Sequence, residues 1–285
     1  MGKNSKSVQN KKNARERKRE KTLNLVNFNK SKQAHNVKSD LNSLLQSIYN
    51  DTIDLRTTCN HSCDCCNVSC PSMNKCEFLN IIVDLWPKLT NKNKIDLISK
   101  SIEYFFKTDY EKFQKEIFIK PCMLLDSKGL CSVYDRRSLN CRTYGLWPKD
   151  SYEKRVDKFE KAYSKYGIKR EDLPLNTQCP NVKRINDAIP LTQEIIDGLY
   201  RSIDKVDETI GEFSPLQIAQ KENYRTFQDW LLFSIIGIEW LSKLSVMSMA
   251  ADKTVLEDQI SAFKTAIENS FKNKDVPNIV FCPRD

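Results

Sequence analysis

The chain has 285 residues, with 46 Lys or Arg against 37 Asp or Glu, 40% hydrophobic and 9% aromatic residues, which is material for one good core or two small ones. Its seven glycines never stand closer than Gly198 and Gly211, so neither a G-x-G-x-x-G turn nor a G-x-x-x-x-G-K-[ST] loop exists, and P-loop hydrolysis and a standard dinucleotide fold are disfavoured. Two histidines exclude a His-rich metal site, whereas eleven cysteines are far more than an average chain carries.

The charge is concentrated at the N-terminus. Residues 1–38 hold 12 of the basic residues and only two acidic ones, Glu16 and Glu20, so residues 39–285 are nearly neutral, with 34 basic against 35 acidic. The run "KKNARERKREK" lacks apolar side chains to bury, which predicts a basic disordered tail that serves as a solubilising segment or as an electrostatic arm for weak nucleic-acid contact. No apolar run of signal-peptide length follows its charges, and Lys6 stands where a myristoylation signal has Ser or Thr. The most apolar stretch, Leu231 to Leu241, includes Glu239 and is too short to span a bilayer. A cytoplasmic protein without a membrane segment is the expectation.

After the tail, Leu41, Leu44, Leu45 and Ile48 give Asp40 to Tyr49 the spacing of an amphipathic helix. Cys59, Cys63, Cys65, Cys66, Cys70 and Cys76 follow in a stretch whose Asn, Ser and Pro content argues for loops. Phe78 to Trp86 reads as a helix stopped by Pro87, and Asn93 to Lys107 as a second, with Ile95, Ile98, Ile102 and Phe105/Phe106 on one face. Residues 121–148 carry short β-prone pieces, Met123 to Leu125 and Cys131 to Tyr134, around a "DSKG" turn. Tyr152 to Tyr166 is expected to be helical and to end at Gly167. Ser214-Pro215 reads as the start of a long helix through Leu244, and Asp252 as the cap of a last helix carrying Leu256, Ile260, Phe263, Ile267 and Phe271. The expected fold is mainly α: a cysteine-rich loop layer with short β pieces, residues 39–184, packed on a helical C-terminal region, residues 185–285.

Thiolates are soft, strongly donating ligands, and in a reducing compartment clustered cysteines more often hold metal than disulfides. Cys59, Cys63, Cys65, Cys66, Cys122, Cys131, Cys141 and Cys179 form two dense groups and are the predicted ligands; Cys70 and Cys76 read equally well as ligands or as small buried apolar groups, and Cys282 reads as the latter. The spacing is not that of paired C-x₂-C zinc ribbons, and adjacent Cys65-Cys66 would strain one tetrahedral ion if both bound it. An iron–sulfur cluster, with separate corners, is therefore the first expectation and zinc the alternative. Arg142, directly after Cys141, is placed as a cofactor-binding cation, with Arg136 and Arg137 nearby. His61 reads as a loop residue or an additional ligand, and no Ser/His/Asp or Cys/His catalytic arrangement can be drawn.

The segment "PCMLLDSKGLCSVYDRRSLNCRTYG" resembles the YkgJ-type cysteine-cluster family, described as a zinc- or iron-chelating domain. Cys122, Leu125, Gly129, Cys131, Tyr134, Arg137, Cys141, Arg142 and Tyr144 fall on that pattern, and vicinal Cys65-Cys66 fits its upstream group; Met123 and Ser138 stand where the family has Pro. The resemblance covers roughly residues 59–180 and implies a cofactor rather than a reaction. Three functional classes follow: a metal-binding protein whose centre staples a loop-rich domain, a methylase-like enzyme using S-adenosylmethionine by analogy with flagellin lysine N-methylase, and a nucleic-acid-associated zinc module. Cys59, Cys63 and Cys66 also share the C-x₃-C-x₂-C spacing of radical S-adenosylmethionine enzymes, but the β/α repeats of that fold are missing from the pattern.

Overall fold

The computed structural model describes residues 41–49, 65–67, 70–114, 121–164 apart from Gly145 and Trp147, 192–210, 224–250 and 252–271, with Gly167, Lys169, Arg170 and Val276. The basic tail, His61, Cys59, Cys63, Cys179 and Cys282 lie outside these, and of Cys65 only the backbone is inside. The described chain is mainly α with one two-stranded sheet.

The first helix, α1 (residues 41–49), buries Leu41, Leu45 and Tyr49 one turn apart and leaves Leu44 exposed, a stripe narrower than its four aliphatic residues suggest. Strand β1 (Ser72–Asn74) then leads into α2 (Lys75–Leu85). Asn74 caps α2 from an extended backbone, and the Glu77 side chain returns to accept the Asn74 N–H at 3.0 Å, half of a capping box. Two further first-turn donors are satisfied from elsewhere in the chain. Asp207, near the end of α6 (Gln193–Ile210), accepts the backbone N–H groups of Cys76 at 2.6 Å and Lys75 at 3.2 Å, and the Asn74 amide at 3.2 Å. Two buried carboxylates thus face the positive end of one helix dipole, where anionic groups are favoured.

Pro87 ends α2 in a 3-10 turn, Trp86–Lys88, and the Thr90 hydroxyl accepts the Asn93 N–H to start α3 (Asn91–Gln114). A short hairpin-like segment and α4 (Leu139–Thr143) follow, then α5 (Lys149–Ser164). Gly167 adopts φ +77 after α5 and donates to the Ser164 carbonyl, as its position in the sequence predicts.

The long helix expected from Ser214 to Leu244 does not form. Tyr224–Thr226 is instead β2, antiparallel to β1 with Met73 opposite Arg225; Thr226 then caps α7 (Phe227–Ile236) by accepting the Asp229 N–H. Gly237 (φ +79, ψ 163) breaks the run, and α8 (Ile238–Ala250) leaves at 118°. That backbone region is essentially reserved for glycine. Asp252 accepts the Val255 N–H and caps α9 (Lys253–Phe271), in agreement with the sequence.

α3 lies against α7, α8 and α9, while α2 lies against α6 and α7. Phe78 meets Phe227 and Trp230 with ring centroids 5.4 and 6.2 Å apart, and the Trp230 indole N–H donates to the Met73 carbonyl at 3.0 Å. The apolar cluster runs from Leu41 to Val276 and includes Ile98, Leu199, Ile203 and Phe227, so one core serves both sides of residue 184. Among the described residues no single helix is long and apolar enough to cross a membrane; α7 and part of α8 together reach that length only across the bend.

Gly237→Ala is expected to lower the unfolding free energy by about 1–3 kcal/mol, whereas Gly198→Ala inside α6, whose added Cβ meets only the flexible end of Arg201, should raise it by about 0.5–1 kcal/mol. Burial raises the Asp207 pKa, and the donors of Cys76 and Asn74 offset this only in part. Stability linked to this raised value is present below the ordinary Asp pKa of about 3.9 and is lost as pH rises through the folded value. The stability deficit of Asp207→Asn relative to the parent should therefore be larger near pH 4 than near pH 8 in urea titrations.

Candidate metal centre

The second cysteine segment is docked on α2 chiefly through Glu77. This side chain is fully buried: Oε1 accepts the Tyr49 hydroxyl at 2.8 Å and the Leu139 N–H at 2.5 Å, while Oε2 accepts the Asn74 N–H. Tyr49 belongs to α1 and Leu139 opens α4, so a single carboxylate ties the helix before the first cysteine block to the helix that carries Cys141. Burial raises the Glu77 pKa, and its three donors pull in the opposite direction. Burial and the adjacent Glu77 hold the Tyr49 phenol well above its usual range.

The stretch between Cys131 and Cys141 is fastened along its length. Arg136 donates to the Asn80 carbonyl and side chain at 3.1 and 2.7 Å and pairs with Asp84 at 3.5 Å; Gln46 donates to the Asp135 carbonyl. Arg142 donates from Nε to the Arg137 carbonyl at 2.9 Å and from Nη2 to the Asp135 carbonyl at 2.7 Å, and its guanidinium stacks on the Tyr49 ring at 4.3 Å. These bonds make Arg142, the cation expected beside the cofactor, a clamp on the 134–142 turn. Arg137 similarly stacks on Tyr134 at 3.5 Å.

The "DSKG" turn forms as its residues predict. Asp126 Oδ1 accepts the N–H groups of Lys128 and Leu130, which keep this carboxyl below the usual range, and Gly129 takes φ +76. Leu125 and Cys131 then pair as one antiparallel bridge, and the Ser132 N–H and hydroxyl both reach the Leu124 carbonyl, so Cys131 folds back alongside the segment that follows Cys122, where Met123 and Leu124 form a turn rather than the expected β piece. The β-prone character of Cys131 to Tyr134 is spent in that bridge; Tyr134–Arg136 is a 3-10 turn.

The two cysteine blocks meet. The Cys122 N–H donates to the Cys66 carbonyl, and Cys66 sits in the 3-10 turn Cys65–Asn67. Cys70 Sγ lies 3.2 Å from Cys122 Sγ, across 52 residues of sequence, and accepts the Met123 N–H at 3.4 Å. Next to this pair, Tyr104 donates its hydroxyl to the Pro121 carbonyl at 2.6 Å, and burial together with the Cys70 and Cys122 sulfurs pushes its phenol up to about 12. Cys141 Sγ accepts the Ser138 hydroxyl at 3.5 Å.

Of the eight predicted ligands, Cys66, Cys122, Cys131 and Cys141 are thus placed; Cys66 and Cys122 are adjacent through their backbones, while Cys59, Cys63, Cys179 and the Cys65 side chain lie outside the described residues. No group of three or more His, Cys, Asp or Glu among the described residues is arranged to hold a metal ion. Cys76 belongs to the core: it is fully buried, its thiol points to the Ile203 carbonyl, and burial with the nearby Asp207 and Glu77 carboxylates raises its pKa far above the ordinary thiol range. Glu77 was open to sequence reading through "NKCE", an N-cap and N3 pair; Asp207 had no local signal. Neither a protein-family model, nor a curated protein, nor a solved structure matches this chain.

Replacing Glu77 by Ala strands three buried donors. At about 1 kcal/mol each, the variant should lose about 3 kcal/mol in chemical denaturation. Tyr49→Phe, which removes one donor and leaves the carboxylate two, should lose about 1 kcal/mol; a Glu77→Ala variant as stable as its parent would contradict this assignment.

Proposed function

We propose that this chain is a metal-binding protein in which cysteines from 59–66 and 122–179 surround one thiolate-bound centre, an iron–sulfur cluster or a zinc ion. The observation that carries this reading is the backbone hydrogen bond between Cys122 and Cys66, which sets the two cysteine blocks side by side. Cys131 and Cys141 are held by the same folded segment, on a hairpin turn and a docked helix, so their thiols are presented from a rigid support. The cysteine-bearing loops then form a layer over the shared helical core, and the resemblance to the YkgJ-type family points to the same kind of centre.

Such a centre supplies cross-links rather than a reaction in this reading. Loop segments with few apolar contacts gain folding free energy when thiolates bind a common metal. Thiolates of this kind persist in a reducing compartment, in keeping with a cytoplasmic site of action.

The test is metal and sulfide analysis after anaerobic purification of the full chain. Metal is expected in stoichiometric amount, and Cys131→Ser should lose most of it. A folded parent chain with neither iron nor zinc, or a Cys131→Ser variant with unchanged content, would contradict the reading.

A further inference from the structure

Cys70 and Cys122 are two reduced cysteines in direct contact, 52 residues apart in sequence and with their sulfurs 3.2 Å from each other. The contact is a hydrogen bond between thiols, and the backbone holds both partners to it. The Met123 N–H donates to the Cys70 sulfur at 3.4 Å, and the Cys122 N–H donates to the carbonyl of Cys66, upstream of Cys70. Cys76 differs on both counts: it has no exposed surface, and its thiol faces a carbonyl. Cys70 and Cys122 keep 5% and 7% of theirs, an opening that suits an oxidant of two heavy atoms and excludes a peptide-sized one.

A disulfide holds its sulfurs at roughly 2.05 Å, so this pair has to close by about 1.1 Å, a distance within the reach of side-chain torsions. Once one sulfur is oxidised, its partner already touches it. The bond then closes as an intramolecular reaction, ahead of further oxidation to sulfinic acid.

We infer that Cys70 and Cys122 are a modification site, a dithiol that hydrogen peroxide converts to an intramolecular disulfide. In the first step one sulfur attacks the peroxide: an S–O bond forms, the O–O bond breaks, and the thiol proton leaves with the departing oxygen as water. In the second step the other sulfur attacks this sulfenic acid: the S–S bond forms, the S–O bond breaks, and a second water carries away the other thiol proton. Two electrons pass from the sulfurs to the peroxide oxygens. The link closes a loop that contains α2 and α3 and fastens the first cysteine segment to the start of the second. It also withdraws Cys122 from the proposed ligand set, so oxidation and metal compete for one sulfur. The inference goes beyond the metal-binding reading and stands without it.

The experiment adds hydrogen peroxide in substoichiometric steps to the full chain, reduced and kept anaerobic, both as purified and after metal removal with a chelator. Tandem mass spectrometry of the digested chain should show a Cys70–Cys122 cross-link as the main product after chelation, reversed by a dithiol reductant, with Cys76 unlinked throughout. Capture of sulfenic acid by a cyclic diketone should be low in the parent. It should rise at least about 10-fold in whichever of Cys70→Ser and Cys122→Ser leaves the sulfur that peroxide attacks first, because that variant lacks the resolving thiol.

Sulfenic or sulfinic acid that accumulates on Cys70 or Cys122 of the parent without a cross-link would overturn the inference. So would Cys122 linked instead to Cys59, Cys63, Cys65 or Cys66, or survival of both thiols under peroxide that oxidises free cysteine in the same solution. A cross-link in a chain that holds neither iron nor zinc would uphold it while removing the functional reading; a metal-bearing chain that forms no link after chelation would do the reverse.

Discussion

A carboxylate buried in protein is costly unless donors surround it, and at Glu77 the surrounding donors come from three separate segments. The Tyr49 hydroxyl, the Asn74 N–H and the Leu139 N–H converge on its two oxygens, so α1, the start of α2 and the start of α4 are fixed relative to each other. The position of the second cysteine segment depends on this point. Asp207 does corresponding work for α6, reaching the first-turn N–H groups of α2 from the opposite side. The N-terminus of α2 is therefore the junction through which the helical core and the cysteine-bearing loops are held in register.

Magnitudes separate this junction from other polar contacts. A buried donor left without a partner costs about 1–3 kcal/mol, and Glu77 and Asp207 together accept six hydrogen bonds at the start of one helix. Arg170 bridges Asp157 and Glu160 at 2.8 Å, yet all three side chains are well exposed, where such pairs contribute about 0–1 kcal/mol. The short distance at Arg170 is thus a weak determinant of the fold. The longer Asn74–Glu77 bond matters more because water cannot replace it.

What was legible in the sequence is what is local. The stripe Leu256, Ile260, Phe263 and its Asp252 cap lie within one helix, and the "DSKG" turn uses side-chain and backbone groups within five residues, so spacing and turn chemistry sufficed. The break at Gly237 was hidden because the apolar run continues on both sides of it, and only tertiary packing decides whether one glycine continues a helix or turns it. The β1–β2 pair was likewise invisible: three-residue strands have no periodicity of their own, and this one is defined by a partner about 150 residues away. At the candidate site, cysteine density marked the two segments whose backbones meet at Cys66 and Cys122, but not which neighbour each sulfur meets. Cys70 and Cys76 differ by which long-range neighbour their sulfurs meet, Cys122 or Ile203, and no spacing rule contains that.

The central claim is that Glu77 and its partners bring two distant cysteine segments together so that sulfur from both binds one metal centre. X-ray absorption at the edge of the resident metal, on the full chain purified without oxygen, tests it most directly. The account predicts a first shell of sulfur at about 2.3 Å; a shell made only of nitrogen and oxygen would contradict it.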